Sequence, residues 1–535
     1  MDMSSSIRTL IAVGLLTAAP PEQAVAQADG TPTLVVMIVV DQLGGGLLDR
    51  YEPALTGGGF RRFMDEGRRY TQASHAHAMP ETAPGHATLA TGVFPARHGI
   101  VSNSWHQRAG FDWPLMYAVG DSASRILGHE RDAELEGRSP ANLLRDGLAD
   151  WVLAADPRAR AVSISKKDRS AVAMAGRSGA SAWWLLDAEA VFVTSTHYAD
   201  RYPTWLSVFN REVMPGIAAS PVWLSEVPAE LRGLAEDDAQ SYEVGGRDRS
   251  SFPHRGADEA GPPGSAEFNV WAFDTPRADD AVLELAKTAI TQLQLGQRGS
   301  VDFLAVSFSA LDRVGHRYGP VSQEALSTLV HLDLVLANLL ADLDEQVGRG
   351  RWIAGLAGDH GVALPPEAAR AHGNDEAERI MDEELLADMG QSLRRAAANG
   401  GRPEVIAERL ADLIEEEGLV EAAYTHHQLT LGGEPADSFS VLFRNSYYPG
   451  RAWGVLSRYG VEVRYGEGDL VTSFTTGTDH GSPYWYDRHV EMMMLGPGVM
   501  PGISDEPVYT VDFAPTLAGL AAIRFPEDLD GRRLF

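Results

Sequence analysis

The stretch "TPTLVVMIVVDQ", Thr31–Gln42, decides the fold. It is a continuous run of apolar, mostly β-branched residues that ends at the carboxylate of Asp41. A half-exposed strand or a surface helix would show polar residues at period 2 or 3.6. A run without them predicts a strand covered on both faces, as in a parallel sheet. "VDFLAVSFSALD" repeats the pattern and ends at Asp312, and "RWIAGLAGDHG" repeats it again and reaches Asp359. The segments "ADDAVLELAKTAITQL" (278–293) and "SQEALSTLVHLDLVLANLLADLDEQV" (322–347) have apolar residues at helical spacing. Strand, helix, strand implies an α/β fold: a central, mostly parallel sheet with helices on both faces. Near the C-terminus "HVEMMMLGPGVM" reads as a further strand. "TVDFAPTLAGLAAI" reads as a closing helix, with Thr510 or Asp512 as its cap.

Two regions break the rhythm. Residues 181–275 are rich in Trp, Pro, Gly and charge, as in "SFPHRGADEAGPPGSAEF", and read as an insertion. Residues 366–470 hold a helix ("PEVIAERLADLIEEEG") and short strand-like pieces ("SFSVLFRN", "VEVRYG"), and read as a second insertion or cap. The expected organisation is core residues 29–180, 276–365 and 471–535 around these two insertions. "GGG" at Gly44–Gly46 follows a strand but lacks the Gly-Lys-Ser/Thr of a phosphate-binding loop and makes no dinucleotide fingerprint.

At 535 residues, with 44% hydrophobic and 22% charged residues, the chain can bury a large core. The absence of cysteine excludes disulfides, thiolate metal sites and a cysteine nucleophile. A formal charge of -29 argues against nucleic acid or an anionic membrane as partner. It also disfavours an anionic substrate unless the site carries its own positive charge. At the N-terminus, Arg8, the short apolar core "LIAVGLLTAA" (10–19) and the small residues of "AVAQA" (24–28) read as a secretory signal over residues 1–28. No later apolar run is expected to span a bilayer, so the mature chain is expected to be exported and soluble.

Three strands leading to aspartates place Asp41, Asp312 and Asp359 where parallel sheets bind ligands, beyond the carboxyl ends of the strands. In "DRVGH" Asp312 and His316 are four apart, which suits one metal ion if the segment is helical. "GDHG" places His360 beside Asp359, and "GTDHGSP" contributes His480. Carboxylates and neutral imidazoles without thiolate suit Zn²⁺ or another borderline divalent ion. "MPETAPGHATLATG" (79–92) sets Thr82 at the start of a small-residue helix. Two readings stand: an N-cap threonine, or a nucleophile where backbone N–H groups and the helix dipole favour an alkoxide or a phosphate.

Taken in order, "VVDQ", "ETAPGHATLATG", "ISKKDR", "SALDRVGH", "GDHG" and "TDHGSP" resemble the alkaline phosphatase superfamily. More closely, they resemble its threonine-nucleophile phosphate monoesterases, the PafA and PhoK type. The resemblance implies two Zn²⁺ ions, with other divalent ions able to serve and an extra Ca²⁺ open. One ion would be held by Asp312, His316 and His480; the other by Asp41, Asp359 and His360, with Thr82 as ligand and nucleophile. It implies that Lys167 and Arg169 reach the phosphoryl oxygens, with Lys166 as the adjacent alternative, and that Asn103 donates to another. Two ions and these cations would resolve the charge conflict. The implied partners are small-molecule phosphate monoesters, and the implied state is a periplasmic or secreted monomer. A nucleotide phosphodiesterase of the same superfamily is the competing reading, and a non-catalytic zinc-binding protein the next. His75, His77, His86, His426 and His427 read as structural, and Asp479 as orienting His480. A sulfatase would need Cys or Ser in a Cys/Ser-x-Pro-x-Arg setting, and the chain has "TAPGH".

Overall fold

The computed structural model describes residues 31–535 apart from 111, 133–134, 245–249, 431–434 and 436. The expected signal segment lies outside the described residues. The centre is a nine-stranded sheet. In chain order its strands are β1 (Leu34–Val40), β2 (Arg68–Tyr70), β3 (Ala161–Ser165), β4 (Ser181–Leu186), β5 (Val191–Val193), β6 (Asp302–Phe308), β7 (Trp352–Gly358), β8 (Met492–Leu495) and β9 (Gly502–Ser504). They lie in the order β5-β4-β3-β6-β1-β7-β8-β2-β9. The middle is parallel: β1 pairs with β6 on one side and β7 on the other, Leu34 opposite both Asp302 and Trp352. Strand β8 runs antiparallel to β7.

Every residue of β1 is buried, and its side chains alternate between two cores. Leu34, Val36, Ile38 and Val40 enter one core, and Val35, Met37 and Val39 the other. This two-faced burial is why the run has no polar position. Each such side chain contributes about 1.5–3 kcal/mol relative to exposure. On the first face pack α3 (Arg277–Leu293) and α5 (Gln323–Leu343). On the second pack α1 (Thr82–Thr91), α2 (Asp168–Ala175) and α8 (Phe513–Leu520). Helix α4 (Ala310–Tyr318) follows β6 directly. The region after β7 carries α6 (Asp382–Ala397) and α7 (Pro403–Glu416), packed on a separate small core with Leu410, Ile414 and Val461.

Four expectations are corrected. β6 stops at Phe308, so Asp312 stands in the first turn of α4, because the Ser309 and Ala310 N–H groups turn onto the buried Asp279 carboxylate. "SFSVLFRN" is a helix, Ser438–Ser446, because Asp437 accepts the Ser440 N–H as its N-cap. Asp512 does not cap α8 with its side chain; the carboxylate takes the Tyr509 and Arg532 N–H groups. Gln323–Gly348 is long and apolar enough to cross a bilayer, but 61% of its apolar stretch is buried inside the fold, where it serves as a core helix.

Candidate active site

The parallel strands deliver the site. Asp41 leaves β1, Asp359 leaves β7 and Asp312 sits just beyond β6, all three fully or almost fully buried. Gln42, which the sequence reading quoted without assigning a role, ties them together. Its backbone N–H donates to Asp359 Oδ1 at 3.0 Å and its amide donates to Asp312 Oδ1 at 3.2 Å. It does so from a left-handed backbone, φ 69°, uncommon for a non-glycine residue.

Thr82 is the first residue of α1, not its cap; Glu81 holds the N-cap position. The cap reading of Thr82 therefore lapses. Its buried hydroxyl accepts from Lys167 Nζ at 3.3 Å and Arg169 Nη2 at 3.4 Å. Beside it the Ala83 N–H donates to Asn103 Oδ1 at 2.8 Å, which leaves the Asn103 NH₂ to the cleft. Glu81 accepts from Asn103 N–H and the Ser102 hydroxyl, and burial raises its pKa. Lys167 also pairs with Asp41 at 2.6 Å and Asp312 at 2.5 Å. Lys166 turns away to Asp187 and Asp274, which selects Lys167 as the lysine beside Thr82.

His316 Nδ1 rests on the Thr478 carbonyl at 2.9 Å, His360 Nδ1 on Gly361 at 2.9 Å, and His480 Nδ1 on Pro80 at 3.1 Å. A carbonyl only accepts, so each Nδ1 carries a proton and each Nε2 is the atom turned to the carboxylates, the arrangement of a metal ligand once a cation displaces any proton on Nε2. The Nε2 atoms meet carboxylates: His316 lies 3.2 Å and His480 3.7 Å from Asp312 Oδ1, and His360 lies 3.3 Å from Asp41 Oδ1. Two compact ligand groups result, Asp312–His316–His480 and Asp41–Asp312–His360. The first has the expected membership. In the second, Asp312 joins Asp41 and His360, both carboxylates being paired to the Lys167 ammonium. Asp359 stays at the edge, its Oδ2 3.5 Å from His360 Nε2.

The donor set fits a cation. Asp41 Oδ1, Asp359 Oδ2 and His360 Nε2 are buried without a hydrogen bond, and Asp41 Oδ2 has only the ion pair with Lys167. Such atoms are costly unless something positive compensates them. The field says the same. Burial and Asp312 push Asp41 up, yet Lys167 and His360 hold it below the usual carboxylate range. Burial pushes His360 down, yet Asp359 and Asp41 carry it up to about 10.

Around this centre, His86 supports the turn as expected, with Nδ1 on the Thr82 carbonyl and Nε2 on the Ser307 hydroxyl. His75 and His77 are buried against each other and Thr510. His427 is exposed, but His426 does not face solvent freely: it binds the buried Glu462 carboxylate at 2.6 Å. Asp479 accepts its neighbour's backbone N–H, while the Pro80 carbonyl orients the His480 ring, so Asp479 does not play its expected part. Asn103, Arg169, His316 and His480 share one open cleft of about 530 Å³.

A parallel sheet that gathers carboxylates and imidazoles beside a helix-start threonine defines a metallohydrolase of the alkaline phosphatase superfamily. The chain belongs to the type I phosphodiesterase / nucleotide pyrophosphatase family, whose model matches residues 35–430. It is 29% identical to alkaline phosphatase PhoV of Synechococcus elongatus, covering 95% of this chain and 93% of that protein. It is 30% identical to a Myroides odoratus protein named calcium-transporting ATPase, covering 92% of each. Among solved structures, a variant of alkaline phosphatase PafA with one threonine, one asparagine, one lysine and one arginine replaced superposes with a TM-score of 0.83. That match has 25% identity and covers 95% of this chain and 99% of that one.

Proposed function

We propose that the protein is an exported alkaline phosphatase that hydrolyses phosphate monoesters through a phosphothreonine at Thr82. The observation that carries this is the meeting of the Lys167 ammonium and the Arg169 guanidinium on the Thr82 hydroxyl. Two cations there serve a phosphoryl group with a full set of free anionic oxygens, and they crowd the second organic group of a diester. The four residue types replaced together in the PafA variant are those at Thr82, Asn103, Lys167 and Arg169, which supports the assignment.

Asp312, His316 and His480 would hold one divalent ion, and Asp41, Asp359 and His360, with Thr82, the other; Zn²⁺ suits this donor set. The ions would supply Lewis-acid charge that lowers the pKa of the threonine hydroxyl and neutralises the phosphate. Thr82 Oγ1, its proton lost, attacks phosphorus, and the ester oxygen leaves from the opposite side. Arg169, Lys167 and the Asn103 NH₂ hold the transferring oxygens as charge builds. Water then attacks the phosphothreonine, restoring Thr82 and releasing phosphate. Core residues 29–180, 276–365 and 471–535 carry this machinery; residues 181–193, expected in the first insertion, instead add β4 and β5 to the central sheet, and the remainder of 181–275 with 366–470 shapes access to the site. The chain acts as a monomer in the periplasm or outside the cell, reached through the signal segment at residues 1–28.

The test compares an aryl phosphate with its methyl diester on zinc-loaded protein, for wild type and Thr82→Ala. A strong monoester preference that disappears with Thr82 supports the proposal. A diester preference makes the chain a nucleotide phosphodiesterase, the activity in the family's description. No turnover of either ester with metal bound supports the non-catalytic zinc protein.

A further inference from the structure

The wall of this cleft contains more than candidate metal-ligating side chains. On α4, Asp312 and His316 form one i,i+4 pair, and Arg313 and Arg317 form the next pair around the helix. All but Asp312 line the same cleft, together with Val244, Phe474, Thr476 and Asp479. Arg313 is committed: its Nε and Nη2 grip both oxygens of Asp274 at 2.8 and 3.1 Å. Arg317 is not. Among the described residues it makes no carboxylate pair within 4.0 Å, its Nε has no hydrogen-bond partner, and it lies 5.7 Å from the Tyr318 ring. Phe474 remains 38% exposed beside it, although the chain buries most of its large aromatic side chains.

The wall is also fixed in place. The last carbonyls of a helix have no partner within it. Here the His316 carbonyl takes the Thr478 N–H at 2.9 Å and the Arg317 carbonyl takes the Val244 N–H at 2.9 Å. Arg379 holds the Gly477 carbonyl from the other side at 2.9 Å. The loops bearing Val244 and Phe474 are thus bonded to the helix that carries Arg317, and the surface they form is set before a ligand arrives.

In an in-line displacement the leaving oxygen departs on the side opposite the nucleophile. This wall shares its cleft with Asn103 and Arg169, the residues proposed to hold the transferring oxygens, so a leaving group that extends along the cleft meets it. We propose that Arg317 and Phe474 form a leaving-group subsite, which selects monoesters of aromatic alcohols that carry a further negative charge. The assignment rests on the phosphatase reading above. The ring lies on Phe474, and the anionic substituent meets the guanidinium of Arg317, which makes no carboxylate pair among the described residues. Asp479, on the same wall, would repel a charge placed on its side, which directs the anion toward Arg317.

The test uses phenyl, n-propyl, 3-carboxyphenyl and 3-carbamoylphenyl phosphates, the last a neutral analogue of the third. The wild-type ratio of kcat/KM for carboxylate over amide should exceed one. In Arg317→Gln it should fall by about twofold to fivefold, as loss of one partly exposed charge pair allows, and Arg317→Lys should recover part of it. Phe474→Ala should lower the ratio of phenyl over n-propyl phosphate. A second readout avoids turnover: in the Thr82→Ala background, calorimetry should show weaker binding of 3-carboxyphenyl phosphate, relative to the amide, once Arg317→Gln is added. An active wild type whose ratios are the same in Arg317→Gln overturns the subsite alone. If the wild type turns over none of the four esters, the phosphatase reading fails. The binding comparison then decides the subsite by itself: an unchanged ratio of dissociation constants overturns it, and a fall on Arg317→Gln sustains it.

Discussion

His86 Nδ1 hydrogen-bonds the backbone carbonyl of Thr82 at 2.8 Å and lies 3.0 Å from Asp359 Oδ2. One buried imidazole thus joins the start of α1 to the end of β7. Its far nitrogen is anchored by Ser307 at the end of β6. Replacing His86 with Leu keeps the volume but strips the Thr82 carbonyl and the Ser307 hydroxyl of a hydrogen-bond partner and removes the imidazole beside Asp359 Oδ2. Each buried group left unsatisfied costs about 1–3 kcal/mol. The variant should unfold at lower denaturant concentration and lose kcat through misplaced Thr82 and Asp359. Urea unfolding and steady-state kinetics measure the two effects. Unchanged kcat in a folded variant would mean that Thr82 is positioned by its helix alone.

Lys167 and Arg169 give the clearest split between esters. Removing one preorganised donor to a transferring group costs about 2.7–4 kcal/mol. Lys167→Ala and Arg169→Ala should each cut kcat/KM for a monoester by about a hundredfold or more, and lower the monoester-to-diester ratio. Equal losses on both esters would show that these cations serve the site's stability rather than the free phosphoryl oxygens. Lys167→Ala also removes the cation between Asp41 and Asp312, so zinc content should be measured alongside rate.

Asp312 belongs to both compact ligand groups, whereas His316 belongs to one. Asp312→Asn should therefore empty its own metal position and weaken the neighbouring one, and His316→Ala mainly one, by elemental analysis of dialysed protein. Chelation should abolish activity in the wild type and lower its thermal midpoint, because Asp41, Asp312 and Asp359 then lose much of their positive compensation. A chelated enzyme with full activity would remove the metal from the proposal.

The sequence showed most of this site because its chemistry sits at strand ends, and the strands announce themselves. β1 and β7 read correctly since both faces are buried and nothing polar interrupts them. The candidate ligands Asp41, Asp359 and His360 stand directly after those strands, and the candidates His316 and His480 stand in short motifs elsewhere in the chain. What stayed hidden depends on distant partners. Gln42 gains its role from a φ of 69° and from residues 270 and 317 positions away, which no local pattern records. The helix Ser438–Ser446 was misread because Phe439, Val441 and Phe443 suggest a strand. One side chain, Asp437, sets the opposite outcome by capping the first turn. The fixed wall at Arg317 and Phe474 is likewise the product of two loops bonded to one helix end. The sequence shows only its Arg-x-x-x-Arg half.

His254 and His331 should make stability depend on alkaline pH. His254 is gripped by Glu259 and Glu324, each at 3.0 Å, and although burial lowers its pKa, these partners carry it up to about 9. His331 is likewise carried up to about 10 by Asp280 and Glu226. A histidine whose folded pKa is raised contributes stability that is complete below its unfolded value of about 6.5 and is lost as pH rises through the folded value. The difference in unfolding free energy between wild type and His254→Gln should be largest at and below about pH 6 and shrink between about pH 6.5 and 9. A difference constant over that range would show that His254 is neutral in the folded protein.

Gly85 separates two opposing effects at the site itself. It lies within α1, one turn after Thr82, and Ala is the better helix former there by about 1 kcal/mol. On propensity alone Gly85→Ala should stabilise the protein. A Cβ at this position, however, would stand 2.2 Å from the Asp359 backbone oxygen, and a rigid strand-end carbonyl cannot yield as a flexible side chain does. Helix α1 must then move off the end of β7, carrying Thr82 away from Asp359. Overpacking of this kind costs about 1–3 kcal/mol, so the net effect should be destabilising. A shift of about 1 Å at reacting groups can cost about a hundredfold in rate, so kcat should fall further than stability suggests. Urea unfolding and kcat on an aryl phosphate decide it. A more stable, fully active Gly85→Ala would mean that α1 and β7 do not approach this closely and that Gly85 is not needed to bring Thr82 to Asp359.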